Sequence, residues 1–143
     1  MTTIAYRDGV IAADSQITFE NRRDGKTLKI RRLGRILAGA AGSASQCVAF
    51  LDWLQRGAPG HPPRLFSNEY RLDAFVVLTG GRIMAFNGEA MLHFRSDLMA
   101  IGSGAAYALG AMACGATAAE AVAVAAKFDI NTGGEISVLG LDT

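Results

Sequence analysis

The chain is poor in several residue types, and each shortage narrows its chemistry. It has two cysteines, Cys47 and Cys114, in 143 residues. That is too few for a disulfide framework, and neither belongs to the Cys-x-x-Cys spacing of zinc ribbons and redox sites. The two histidines, His61 and His93, stand alone in turn-like and strand-edge contexts; a surface position suits each better than a metal or general-base role. All three prolines fall within residues 59–63. They mark one break between Gly57 and Tyr70, which in so short a chain predicts a surface loop, not a domain boundary. Charge of one sign is also missing: 14 Lys and Arg face 13 Asp and Glu, for a net charge of +1. With no basic run, a nucleic-acid surface is not expected. No apolar stretch reaches the roughly 18 residues a membrane span needs. Arg7 and Asp8 come too early for a signal-peptide apolar core, so a cytoplasmic protein is expected.

What is present suits one globular domain over residues 1–143. Half of the residues are hydrophobic, enough for a core and too many for disorder. Thr2–Tyr6 and Val10–Ala13 predict strands flanking the Asp8-Gly9 turn. The polar stretch Glu20–Lys26 predicts a loop. Thr27–Leu33 and Arg35–Gly39 predict two strands broken at Gly34. Small residues then lead into a helix ending near Gln55, with Val48, Leu51 and Leu54 at helical spacing and Ser43 or Ser45 as its cap. Asp73–Leu78, Gly80-Gly81 and Arg82–Phe86 have the pattern of a hairpin, with another turn at Asn87-Gly88. Ala90–Phe94 and Leu98–Ile101 continue the strands. Gly104–Ala113 and Ala118–Phe128 predict Ala-rich helices, the second opened by a Thr117/Glu120 capping box, and Glu135–Leu141 predicts a last strand. Strands, a helix, more strands and two further helices give an α+β layered domain.

Several chemistries fail on spacing. Ile101-Gly102-Ser103-Gly104 lies at a strand-to-helix junction, but it lacks the Walker lysine, and Tyr107 occupies the third-glycine position of a dinucleotide fingerprint. Ile101 also excludes a Gly-x-Ser-x-Gly nucleophile elbow. Phe50 and Trp53 are core candidates on the first helix. The N-terminus remains. Removal of Met1 would leave Thr2 with a free α-amine, pKa about 8 when unperturbed, beside its own hydroxyl. A threonine hydroxyl needs an adjacent base, and its own amine can be one. A nearby lysine would lower that amine's pKa, and a carboxylate would hold the lysine in place.

The residues around this position carry a resemblance. Thr2-Thr3-Ile4, Ile11–Gln16 (IAADSQ), Lys29–Leu33 (KIRRL) and Leu37–Gly42 (LAGAAG) resemble the HslV peptidases and, more broadly, the proteasome β subunits. Asp97–Gly104 (DLMAIGSG) matches the same family. Asp129–Gly134 (DINTGG) looks like its Asp-x-x-Ser-Gly-Gly segment, with Thr for Ser. The order of these segments is kept over nearly the whole chain.

The resemblance implies a four-layer αββα sandwich of two antiparallel sheets covered by helices, the N-terminal nucleophile hydrolase fold. It implies a threonine endopeptidase acting on unfolded polypeptides. Thr2 is then the nucleophile, its α-amine the base, Lys29 the neighbouring cation and Asp14 the partner of Lys29. The Gly39 N–H is expected to form the oxyanion hole, and Ser103 and Asp129 a supporting hydrogen-bond network. The family requires no cofactor. Some members bind a monovalent cation or magnesium, for which Ala126, Asp129 and Thr132 have the implied spacing. Implied partners are further copies of the chain in a ring and an ATP-dependent unfoldase. The chain departs from the family at Gly57–Tyr70, which stands where relatives carry a long second helix. Two other readings keep the fold. A catalytically silent structural subunit would have no need of Lys29 and Asp14. A small-molecule amidase would need a closed pocket, whereas the open edge implied by Gln16–Phe19 suits an extended peptide pairing as a strand.

Overall fold

The computed structural model describes residues 2–19, 22–60, 73–87 and 90–141. Among the described residues eleven strands and three α-helices follow one another. The order is β1 (Thr3–Arg7), β2 (Val10–Ala13), β3 (Gln16–Phe19), β4 (Arg22–Lys26), β5 (Ile30–Leu33), β6 (Ile36–Ala41) and α1 (Ala44–Gln55). After it come β7 (Asp73–Val77), β8 (Arg82–Asn87), β9 (Ala90–Arg95), β10 (Leu98–Gly102), α2 (Ala105–Ala113), α3 (Ala118–Phe128) and β11 (Ser137–Gly140). One antiparallel sheet has the order β10-β1-β2-β11 and another the order β5-β6-β7-β8-β9, with β3 and β4 as a separate ribbon.

The period of two along each strand sorts its side chains into different interfaces. On β1, Ile4 and Tyr6 face the opposite sheet, where together with Ile11 of β2 they meet Leu37, Phe75, Val77 and Ile83. Ala5, between them, faces the other way and packs with Ala12 against Ala108 and Met112 of α2 and Ala121 and Val122 of α3. On β6, Ala38 and Ala40 face outward with Ala74 and Val76 of β7, under Phe50, Leu51 and Trp53 of α1. Three apolar interfaces thus separate four layers: α1, the five-stranded sheet, the four-stranded sheet, and α2 with α3. This is the αββα sandwich. Alanine on both sides of the α2–α3 interface lets the helices lie close to the sheet.

Local chemistry fixes the ends of the elements. Both arms of the capping box are made at α3: Glu120 N–H donates to Thr117 Oγ1 (3.1 Å) and Thr117 N–H to the Glu120 carboxylate (3.0 Å). Arg7 Nη1 donates to the carbonyls of Met112 (2.5 Å) and Ala116 (2.9 Å), satisfying carbonyls at the end of α2 and fastening the α2–α3 turn to β1.

Several expected elements differ. Arg22–Lys26 is strand β4, paired with β3, not a loop. Thr27, Leu28 and Lys29 precede β5, which starts at Ile30, and β6 runs on to Ala41. Ser43 stands at the N-cap of α1, just before Ala44, but its hydroxyl meets Ser45 Oγ (3.0 Å) and caps no backbone N–H. Val48 is exposed, since α1 buries Phe50, Leu51 and Trp53 instead. The expected 57–70 loop is described only over Gly57–Gly60; its remainder, with His61, lies outside the described residues.

Candidate active site

Thr2 sits one residue ahead of β1, at the rim of the four-stranded sheet, and is buried. Asp14 follows β2, the neighbouring strand, whose antiparallel register with β1 pairs Ile4 with Ala13. That pairing brings position 14 back beside position 3, and Asp14 Oδ1 accepts the Thr3 N–H at 3.1 Å. Lys29 comes from the other sheet, immediately before β5. Its Nζ lies 2.5 Å from Thr2 Oγ1 and 2.9 Å from Asp14 Oδ1, and donates to the Gln16 carbonyl at 2.7 Å. Thr2 Oγ1 also hydrogen-bonds Asp14 Oδ1. The site therefore exists only where the rims of the two sheets meet.

The electrostatics follow from burial. Lys29 is 7% exposed and Asp14 is 1% exposed. Desolvation lowers the Lys29 pKa below 10.5, while the Asp14 charge and its hydrogen bond pull it back up. Cys47, on the first turns of α1, belongs to the same neighbourhood: burial pushes its thiol up to about 11, against the opposing field of the Lys29 ammonium.

Ser103 and Asp129 come together as a second group. Ser103, in the β10–α2 turn, donates to Asp129 Oδ2 at 2.6 Å and reaches the Thr2 carbonyl at 3.4 Å. Thr132 Oγ1 donates to the same Asp129 oxygen at 2.6 Å and lies 2.7 Å from Thr3 Oγ1. Burial alone would raise the Asp129 pKa. The hydrogen bonds from Ser103, Thr132 and the Asn131 N–H outweigh it and hold the carboxyl below 3.8. Gly133 N–H donates to Asp14 Oδ2 at 3.0 Å, linking this group to the lysine side.

Gly39 is the site residue that the structure places elsewhere. It lies inside β6, paired with Ile30 on one side and Phe75 on the other. Ala40 N–H donates to the Lys29 carbonyl (3.2 Å), so alternation turns the Gly39 N–H toward β7 and into the ladder. The expected oxyanion-hole role for Gly39 is therefore corrected: a Cβ there would come within 3.0 Å of Ile4 Cγ2, and its smallness serves the close approach of the two sheets. Gly42 stands just past the last paired residue of β6, Ala41, with no backbone hydrogen bond from its N–H among the described residues. Sequence reasoning also gave no such part to Thr3, Gln16, Cys47 or Gly133, and took Thr132 only for a cation ligand; the Gly133-Gly134 pair was the available signal for the tight packing there. Of the expected cation ligands, Ala126 and Asp129 are at the end of α3 and Thr132 is three residues on. Among the described residues no group of three or more His, Cys, Asp or Glu could hold a metal ion. His93 is exposed on β9, away from these residues.

No protein-family model matches the chain. It is 29% identical to the ATP-dependent protease subunit HslV of Bartonella quintana over 99% of this chain and 89% of that one. It is 31% identical to the HslV subunit of Campylobacter concisus over 77% of this chain and 75% of that one. Among solved structures it superposes on Thiobacillus denitrificans BPH in complex with epoxomicin with a TM-score of 0.70, at 24% identity and 98% coverage of both chains. With the sandwich in place and curated relatives matched over most of their length, the chain belongs to the HslV family.

Proposed function

We propose that this chain is a threonine endopeptidase whose nucleophile is Thr2, exposed by removal of Met1, and that it degrades unfolded polypeptides. One observation carries the reading: Thr2 Oγ1 stands within hydrogen-bond reach of both Lys29 Nζ and Asp14 Oδ1 inside a buried cluster. The freed α-amine takes the Thr2 hydroxyl proton as Oγ1 bonds to the scissile carbonyl carbon. The lysine charge favours this step by keeping the amine unprotonated and stabilising the developing alkoxide. As the intermediate collapses, the C–N bond breaks and the proton passes to the leaving amine. Water, activated by the same amine, then hydrolyses the Thr2 ester. Gly42 is the oxyanion donor on this reading, because it stands one residue beyond β6 with no backbone hydrogen bond from its N–H among the described residues.

An extended substrate has a place to pair. Among the described residues β3 pairs as a strand only with β4; at Gln16 its other edge is taken by Gly133 and Lys29, and beyond Gln16 no strand lies against it. The relatives' name, ATP-dependent protease subunit, supports a multi-subunit protease that works with ATP; the proposal takes the assembly to be a homo-oligomeric ring served by an ATP-driven unfoldase in the cytoplasm. No described helix is long and apolar enough to cross a membrane. A monovalent cation or magnesium at Ala126, Asp129 and Thr132 would be held by backbone carbonyl oxygens, because the Asp129 carboxylate and Thr132 hydroxyl already serve the hydroxyl network. Such an ion would brace the loop after α3, and the reaction needs no cofactor.

Intact-mass analysis after incubation with a peptide epoxyketone tests the reading. The expected product has lost Met1 and gained one inhibitor adduct, absent in Thr2→Ala. An active preparation that keeps Met1, or one labelled equally well in Thr2→Ala, overturns it.

A further inference from the structure

We infer that Gln16 is a positioning residue that locks the lysine half of the site to the carboxylate half; this rests on the peptidase reading above. The residue is 4% exposed and touches both halves by different groups. Its backbone carbonyl accepts the Lys29 ammonium at 2.7 Å. Its backbone N–H donates to the Gly133 carbonyl at 3.1 Å. Its side-chain Nε2 donates to the Ile130 carbonyl at 3.3 Å. The segment it grips, residues 130–133, carries the Thr132 hydroxyl on Asp129 and the Gly133 N–H on Asp14.

The fit leaves little slack. A Cβ at Gly133 would fall 2.3 Å from Gln16 Oε1, and one at Gly134 would fall 2.6 Å from Ser15 Oγ. The loop lies flat against residues 15 and 16 because it is glycine there. A carboxamide is required for a chemical reason: it is neutral, reaches across the gap, and donates to a carbonyl that would otherwise be left without that bond. Glutamate has the same shape but at neutral pH cannot donate. Methionine has the length and no donor.

If Gln16 sets the register of the two halves, losing its donor shifts Gly133, then Asp14, then Lys29, by a fraction of an ångström. Misplacement on that scale lowers the chemical step without changing substrate contacts. It also weakens the cation's field on the α-amine. The amine then holds its proton to higher pH, and the acid limb of kcat/KM moves upward.

The test compares full-length wild type, Gln16→Met and Gln16→Glu for hydrolysis of a fluorogenic peptide across pH, with epoxyketone titration counting intact sites. The expected result is kcat lowered ~10- to 100-fold in both variants, KM unchanged, and the acid limb displaced to higher pH. Full labelling stoichiometry should accompany this. Wild-type kcat and pH profile in both variants overturns the inference while leaving the peptidase reading intact. So does a loss fully explained by fewer titratable sites, which marks a merely structural role. A wild-type chain that neither hydrolyses peptide nor is labelled at Thr2 overturns both.

Discussion

Lys29 Nζ lies 2.9 Å from Asp14 Oδ1, and the two come from different sheets with side chains 7% and 1% exposed. A pair this deep is weak evidence of net stability, because two charges have been taken from water. It is strong evidence of interdependence, since either charge alone would be stranded. Lys29→Met should abolish peptide hydrolysis and destabilise the fold by about 3–5 kcal/mol. Hydrogen bonds to Asp14 from Thr3 and Gly133 place the loss toward the lower end. Urea titration with a parallel activity assay checks both effects. A Lys29→Met protein that still turns over at the wild-type rate would remove the lysine from the mechanism.

Two glycines should respond to alanine in opposite ways. Gly102 has φ +99°, and a Cβ there would lie 1.9 Å from the Thr2 carbonyl oxygen. Gly102→Ala must push the Thr2 backbone aside, so on the proposed reading activity should drop ~100-fold or more. Gly110, within α2, has nothing within 4 Å of its Cβ position. Gly110→Ala should stabilise by about 0.5–1 kcal/mol through helix propensity and leave the rate unchanged. Equal activity in the two variants would contradict the tight seat described for Thr2.

The pH dependence of stability should carry a mark of Asp129. Its folded pKa is held below 3.8, so the unfolded chain binds the proton more readily. The stabilisation is present in full above about pH 5 and is lost as pH falls through the lower folded value. Asp129→Asn should therefore be less stable than wild type at neutral pH, with the difference shrinking in acid. Urea midpoints at neutral pH and at about pH 3 measure this. A gap that widens in acid would show that the hydroxyls of Ser103 and Thr132 do not favour the charged form.

Much of this was legible in the sequence, and the failures share a cause. The sheets could be read because short apolar runs are punctuated by turn signals at Asp8-Gly9, Gly34 and Gly80-Gly81, and α3 because its capping box is a local contact. The meeting of Thr2, Asp14 and Lys29 was anticipated only through family resemblance, since composition says nothing about residues 27 positions apart. Gly39 was misjudged because the direction of an N–H depends on the ladder register, which one strand's sequence does not encode. Arg22–Lys26 looked like a loop because its charges and Gly25 hide a ribbon held by backbone pairing with β3. The part played by Gln16 had no sequence signal, because it depends on a glycine more than a hundred residues later lying against it.

The site is divided between two rims, Thr2 and Asp14 on one, Lys29 on the other. A chain can thus finish either sheet and still be harmless. Until the inner faces have closed on each other, the ammonium of Lys29 is not beside the Thr2 hydroxyl, and on the proposed reading such a chain cannot cut.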